Sequence, residues 1–360
     1  MTTIFSIMLA LVLSHEGLVL EPELTMEPVP ETEAYMTGAS NAVMDRQGNI
    51  YVLDPNAGKV FTWDQRGRYL RNFGGKGQGP GEFSFDPFRG LFGYLGISGD
   101  QVLVYDTAVK RLTFFDKTGN FLKMNHIQAP PGSIFNFFIP SEGRFILDIQ
   151  DRAAKPLMRN VSLYDFEGNR LEELVAVPDE TYEQVVSGGK LTSVIFKIFQ
   201  ATLGTSFNET NHRLIYGLGS QKRLQIIDME NGIQSAISFE IRREPVTEAD
   251  IDEHGLHRWI KDNPLFVSDY AEEKPYFQQI LDLGDSYLLA NISPYYRNLR
   301  GVLMDLEGNI IGEVRYPLGE SGILHNSQGR LIYTGMDQAG EVVVRRMRIK
   351  PAGGIEVGLR

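Results

Sequence analysis

The sequence predicts an all-β chain made of repeated four-stranded antiparallel meanders, and three observations carry that prediction. Apolar runs of about five residues, rich in β-branched and aromatic side chains, recur along the 360 residues and suit strands rather than helices. Between them lie short turns with Asp first and Gly fourth. This is type I turn chemistry: Asp bonds its own downstream backbone and Gly accepts positive φ. The clearest unit, residues 41–83, returns in weaker copies down the chain.

In that unit Ser40–Met44 is a first strand, Asp45–Gly48 a turn and Ile50–Leu53 a second strand. Ile50–Leu53 is apolar without alternation, which predicts burial on both faces, whereas Val60–Trp63 reads as a half-buried outer strand. The turn Asp64–Gly67 leads to a fourth strand, Tyr69–Phe73. A connector follows, marked by Gly74, Gly77, Gly79, Pro80, Gly81, Glu82 and Phe83. Its glycine and proline content excludes a helix or a central strand. Backbone N–H groups near glycines bind anions. The segment nevertheless lacks the Gly-Lys-Ser/Thr ending of a P-loop, and no helical pattern follows it. A tight link between repeats is the expected role.

The succession NIYVLD, KVFTWDQRGRYLRNFG and GKGQGPGEF resembles an NHL-type repeat. It is more closely similar to the bacterial six-bladed β-propeller proteins that share the GxGPGEF connector. The match is strong over residues 41–83, fair over 96–123, and carried elsewhere by spacing. The resemblance implies a six-bladed β-propeller of four-stranded antiparallel blades, and it implies no particular chemistry. Six such blades fit in about 320 residues, because each unit buries its apolar face only against its neighbours.

Composition narrows the function classes. A hydrophobic content of 42% with 11% aromatic residues is ordinary for a chain with a sizeable core. A net charge of −11 argues against general binding to nucleic acid or anionic membranes. The absence of cysteine removes disulfides, thiol nucleophiles, cysteine zinc sites and lipoprotein anchoring. Near the N-terminus, Ile4–Leu13 is an apolar run too short for a bilayer span, which takes about 20 residues. Read as a signal-peptide core, it makes residues 1–14 a leader and the protein periplasmic or extracellular. No Lys or Arg precedes the run and no A-x-A site follows it, so a packed strand and a cytoplasmic protein remain open.

Residues 15–38 read as an acidic, proline-bearing linker in which Leu18–Leu24 is a strand available to complete the last blade. Blade one covers 39–73, blade two about 89–125 and blade three about 133–177, with turns at Asp116–Gly119, Ser141–Gly143 and Asp165–Gly168. Blade four covers about 191–241, with a longer turn at Asp228–Gly232. Residues 242–275 break the pattern as a short helical insertion between blades four and five. Thr247 to Asp250 resembles a capping box and predicts a helix over 248–262. Blade five covers about 276–317 with the turn Asp305–Gly308, and blade six about 321–350 with the turn Asn326–Gly329. A tail covers 351–360.

No catalytic motif is present: there is no G-x-S-x-G elbow and no H-E-x-x-H. His254 and His257 are three apart on the expected helix, but nothing around them completes a metal signature. A basic residue opens the third strand repeatedly: Lys59, Arg111, Arg159, Arg223 and Arg300. On the face of a propeller that carries second-to-third-strand loops and connectors, these would form a positive ring able to hold an anionic ligand. The structural alternative pairs each with the acid closing the preceding strand, as Asp54 with Lys59 or Asp106 with Arg111, and is the favoured one. Tyr295, Tyr296 and Arg297 lie in the matching loop of blade five and are suitable contacts for a protein or carbohydrate.

The function expected from these features is a ligand- or protein-binding scaffold, monomeric, without cofactor, nucleic acid or transmembrane span. The alternative is a metal-dependent propeller enzyme of lactonase or lyase type with one divalent ion on the axis. Asn136, Gln278 and Asn326 are its inner-strand polar candidates.

Overall fold

The computed structural model describes residues 17–30, 33, 35–86, 91–188, 190–253, 260, 263, 265–291, 299–316, 321–337 and 339–352. The expected leader, His254, His257, Tyr295, Tyr296, Arg297 and most of the tail lie outside the described residues.

After strand β1 (Leu18–Thr25), the chain forms three consecutive four-stranded antiparallel sheets. The first contains β2 (Asn41–Met44), β3 (Ile50–Asp54), β4 (Lys59–Trp63) and β5 (Tyr69–Gly74). The second contains β6 (Gly93–Ser98), β7 (Gln101–Asp106), β8 (Arg111–Asp116) and β9 (Phe121–His126). The third contains β10 (Gly132–Ser141), β11 (Arg144–Asp151), β12 (Met158–Asp165) and β13 (Arg170–Pro178). Next come β14 (Tyr182–Ser187) and β15 (Lys190–Ile198), then a fourth sheet of β16 (Leu203–Asn208), β17 (Arg213–Leu218), β18 (Arg223–Asp228) and β19 (Gln234–Ser238).

Helix α1 (Glu248–Glu253) and β20 (Phe266–Tyr270) precede the next meander, β21 (Gln279–Asp282), β22 (Ser286–Asn291), β23 (Leu299–Asp305) and β24 (Ile310–Tyr316). The last strands are β25 (Ser321–Ser327), β26 (Arg330–Met336) and β27 (Val342–Pro351). Strand β1 pairs antiparallel with β27 from Leu18↔Pro351 to Thr25↔Arg345 and so becomes the fourth strand of that final group. Two further parallel pairings, Leu18↔Val314 and Val19↔Arg315, join it to β24.

The turns form for local reasons. Gly48, Gly67, Gly119, Gly168 and Gly308 donate back to the carbonyls of Asp45, Asp64, Asp116, Asp165 and Asp305. In four of these five turns the Asp carboxylate also accepts from the Asn that follows the glycine, as Asn49 to Asp45 at 3.0 Å and Asn120 to Asp116 at 2.9 Å. The Thr118 hydroxyl, then Asn120, holds the Asp116 carboxyl below the usual carboxylate range, and the Asn and backbone bonds do the same for Asp165 and Asp305. The expected turn Asn326–Gly329 is shorter: Ser327 pairs with Arg330, and Gln328 and Gly329 alone carry positive φ. Asn326 therefore belongs to its strand.

The core is divided into layers, one between each pair of adjacent sheets. Tyr51, Leu53, Phe83 and Leu95 fill the gap between the first and second sheets. Tyr105, Phe137 and Phe145 fill the second-to-third gap, and Val161, Phe207 and Leu214 the third-to-fourth. Ile215, Phe277 and Tyr287 follow, then Leu20, Leu288, Leu324 and Met347. Finally Met26, Met36, Phe61, Trp63, Ile332 and Val344 bring the last group against the first sheet. β3 is buried along its whole length. β4 differs from its half-buried expectation: only Lys59 is not buried. The reason is the N-terminal segment, whose Met26 and Met36 cover Trp63 while Glu27 O accepts from Trp63 Nε1 at 2.8 Å.

The first strand of each group faces the axis, and neighbours touch in the order β2, β6, β10, β16, β21, β25 and back to β2. Each contact carries a side-chain hydrogen bond. Asn41 Oδ1 accepts from Leu95 N at 2.7 Å, and Tyr94 Oη donates to Ile134 O. Asn136 Nδ2 donates to Thr205 Oγ1 at 2.9 Å, and Ser206 Oγ accepts from Asp282 N at 3.2 Å. Gln279 Nε2 donates to Leu324 O at 3.0 Å, and Ser327 Oγ accepts from Met44 N at 3.0 Å.

The pattern break is larger than the expected 242–275 segment. Strand β15 belongs to no meander, so the fourth sheet begins at Leu203 rather than near 191. Instead β15 pairs with β14 and, in parallel, with β20 from Val194↔Phe266 to Ile198↔Tyr270. The two sequence-distant pieces share a small core of Ile198, Phe199 and Ile260. Helix α1 is capped as the sequence indicates, with Thr247 N donating to Asp250 Oδ2 at 2.9 Å and Asp250 N to Thr247 Oγ1 at 3.3 Å.

Candidate functional site

The inner strands surround a cavity of about 350 Å³ on the axis, lined by residues from all of them. One mouth lies at the strand N-termini, where Phe92, Phe135 and Ile323 are each more than a third exposed. Exposed aromatic and aliphatic side chains around a concavity are unusual on a monomer surface and mark binding sites. The Arg159 guanidinium lies 3.4 Å from the centre of the Phe135 ring, a close cation–π contact.

The opposite end is spanned by turns. Glu209, in the turn between β16 and β17, accepts from Gln328 N in the β25–β26 turn at 2.9 Å, joining the fourth sheet to the last strands. Burial, more than any neighbour, pushes the Glu209 carboxyl up to about 7, with Asp282 adding to the effect. Asp282 is itself fully buried and gripped by Arg213 from Nε at 2.6 Å and Nη2 at 2.7 Å. Asn326 Nδ2 donates to Asp282 O at 2.6 Å, and His212 Nδ1 contacts Pro140 O at 3.0 Å. On β25, burial lowers His325 to about 4, and its Nε2 meets Thr334 Oγ1 at 2.9 Å.

A family profile, DUF5128, described as a 6-bladed beta-propeller, matches residues 31–86. Among solved structures, the chain is similar to a member of the DUF4221 family from Bacteroides vulgatus. That likeness has 14% identity and a TM-score of 0.58 and covers 94% of this chain and 100% of that one. It is also similar to a protein of Bacteroides fragilis named as a candidate exported protein. There the identity is 11%, the TM-score 0.54, and the coverage 92% of this chain and 95% of that one. The chain is a β-propeller of the kind found in these bacterial proteins. None of these descriptions names an NHL repeat, and no curated protein matches the sequence.

On the propeller, the basic residues that open third strands do not share one fate. Lys59 does not pair with Asp54; its Nζ donates to Asn72 Oδ1 at 2.8 Å. Asp54 instead accepts backbone N–H groups of Thr37 at 2.6 Å, Gly38 at 3.1 Å, Asn56 at 2.8 Å and Ala57 at 2.9 Å. Arg111 does not pair with Asp106 either. It is buried and donates to the carbonyls of Gln78 and Glu82, clamping the glycine-rich connector. Asp106 takes Ser84 N at 2.7 Å and Ala108 N at 3.0 Å. Loop N–H groups reach these strand-end carboxylates first because they are already in place and cost no side-chain entropy.

Arg159 is buried and forks onto the buried Asp148, which is not the strand-closing acid. Arg223 is exposed, and Arg300 pairs through its backbone with Asn291 and Arg315. Among the described side chains, Arg111 and Arg159 are thus committed to internal partners.

The connector is held internally: Glu82 Oε2 accepts from Gly79 N at 2.9 Å, Phe83 N donates to Gly75 O at 2.7 Å, and the Phe83 ring is buried against Phe85. Of the axial polar candidates, Asn136 and Asn326 are engaged with neighbouring blades, and Gln278 lines a separate cleft beside the insertion. Among the described residues, no three His, Asp or Glu side chains gather in a metal-binding group. Glu209, Phe92, Phe135 and Ile323 escape sequence reasoning. They share no motif and meet only because successive inner strands converge on one axis.

Proposed function

We propose that the chain is a six-bladed propeller acting as an exported ligand- or protein-binding scaffold, with its contacts on the face that carries the connectors. The observation that carries this reading is the axial cavity, spanned by Glu209 and Gln328 at one end and rimmed by exposed Phe92, Phe135 and Ile323 at the other. Pockets with apolar walls and a few fixed polar groups are where propellers and other folds take ligands. The blade number is supported by the closed succession of inner strands and by the description of the matching family profile. Export is supported by the apolar run Ile4–Leu13 and by the name of the Bacteroides fragilis relative. Among the described residues no helix is long and apolar enough to cross a membrane. On the same face, exposed Arg223 is a further contact.

The test is a fragment screen by thermal shift against wild type and the rim variants Phe92→Ala and Phe135→Ala. Fragments that stabilise wild type and lose that effect in both variants support the reading. Hits indifferent to the rim, or none at all, argue for a surface without a ligand site. Cell fractionation of the tagged full chain tests export, and a cytoplasmic pool alone overturns that part.

A further inference from the structure

The closed end of the axial cavity holds an acceptor without a donor. Asn326 commits its amide nitrogen to Asp282 O at 2.6 Å, which assigns its other atom as oxygen, and that Oδ1 is buried and accepts nothing. A buried acceptor left unpaired has given up its water for no partner, and because Asn326 lines the cavity, a small turn of its side chain would present that oxygen to a donor brought from outside.

Glu209 lies at the same end, and its carboxylate accepts from the backbone N–H of Gln328, from its own backbone N–H and from the Ser327 side chain, with no cation among its partners. The nearby Arg213 is spent on Asp282 and on Gly284 O at 2.9 Å. Among the described residues that line the cavity there is no Lys or Arg, and Glu209 is the one carboxylate. Of the other carboxylates near the cavity, Asp148 is paired with Arg159 and Asp45 lies 3.5 Å from Lys117 Nζ. His212 turns its ring nitrogens to Pro140 O and toward Glu230 at 3.7 Å, and His325 stays neutral against Thr334. Much of the remaining lining is apolar, including Val43, Ile97, Phe138 and Ile280.

We propose that the axial cavity takes a small organic cation, a protonated amine on an aromatic or aliphatic body. Its ammonium group sits between Glu209 and Asn326, and its body extends toward Phe92, Phe135 and Ile323. This rests on the scaffold reading above and names the ligand class for that site. The ammonium supplies the donor that Asn326 lacks and the charge that Glu209 lacks. An anion meets a carboxylate with no compensating base, and a neutral body leaves Glu209 uncompensated. Because the Glu209 carboxyl stands at about 7, the cation must displace its proton. Binding therefore strengthens about tenfold between pH 6 and pH 8, as expected for one group titrating midway.

Calorimetry on the full chain with three probes that share one phenethyl body tests this: 2-phenylethylamine, 2-phenylethanol and 3-phenylpropionate. The expected result is binding of the amine, at least tenfold weaker binding of the alcohol and none of the acid. Amine binding should release protons near pH 7 in buffers of different ionisation enthalpy. Glu209→Gln should weaken amine binding about tenfold and flatten its pH dependence. The wild-type proton release stands as the readout if that variant fails to fold.

Equal binding of amine and alcohol overturns the charge pairing while leaving the scaffold reading intact. Amine binding without proton release, or preference for the acid, overturns the inference as well. No binding by any probe also overturns it, and the rim-variant screen then decides the scaffold reading separately.

Discussion

Arg213 on β17 forks onto Asp282 on β21 with two bonds of 2.6 and 2.7 Å, tying the fourth sheet to the meander that follows it through a carboxylate with no solvent exposure. Asp282 also accepts from Asn208 Nδ2 at 3.1 Å and Gly284 N at 2.8 Å, both on the same oxygen, Oδ1. Removing Asp282 leaves the largely buried Arg213 guanidinium without its carboxylate and with only its bond to Gly284 O. Asp282→Ala should cost on the order of 3 kcal/mol in urea unfolding, while double replacement by apolar residues should cost less.

Stability should depend on pH through two axial groups of opposite sense. The Glu209 carboxyl is raised from 4.5 to about 7, so its contribution is fully present below pH 4.5 and lost as pH rises through 7. Glu209→Gln should therefore match wild type at pH 4 and melt higher at pH 8. His325 is lowered from 6.5 to about 4, so its contribution is present above pH 6.5 and lost as pH falls through 4. His325→Gln should flatten the acid limb alone. Melting curves of both variants from pH 4 to 9 check the signs.

Closure by β1 should rest on its apolar face rather than its charges. Glu21 pairs with Arg348 and Lys350, and Glu23 with Arg346, all near the surface. Exposed pairs of this kind are screened by water and salt, so Glu21→Gln with Glu23→Gln should leave the unfolding midpoint unchanged. Leu20, 1% exposed, packs with Leu288, Leu324 and Met347. Leu20→Ala should cost about 2–5 kcal/mol.

At the start of the connector, Gly74 has φ +86°, and a Cβ there would lie 2.6 Å from Phe83 Cε2 and 3.1 Å from Gly58 O. Gly74→Ala should destabilise by about 1–3 kcal/mol through backbone strain and displacement of the buried Phe83 ring. Gly99 also has positive φ, but a Cβ there would have nothing within 4 Å, so Gly99→Ala should cost less. Denaturant midpoints of the pair separate strain from packing.

A chelator should leave the melting temperature unchanged, and purified protein should carry no stoichiometric divalent ion. A chelator-sensitive ion would overturn the scaffold reading in favour of a metal-dependent enzyme and direct mutation to Asn136 and Asn326.

What the sequence determined by itself is what is decided within a few residues. Asp64 and Gly67 make their turn with their own backbone, and unbroken apolarity over Ile50–Leu53 matches a strand buried on both faces. Thr247 and Asp250 bond each other to cap their own helix. In each case the partner is a chain neighbour, so residue type and spacing suffice. Tertiary structure alone decided the pairings across the chain. Lys59 and Arg111 have plausible local acids and ignore them, because loop N–H groups occupy those carboxylates and the basic groups turn to Asn72 and the connector carbonyls. Strand β15 resembles a blade strand but is claimed by β20, which follows it only after the whole fourth sheet. Glu209 meets Gln328 across 119 residues because both occupy turns that converge on the axis. Radial packing selects such partners by position in space, and local periodicity holds no record of which blade will stand opposite.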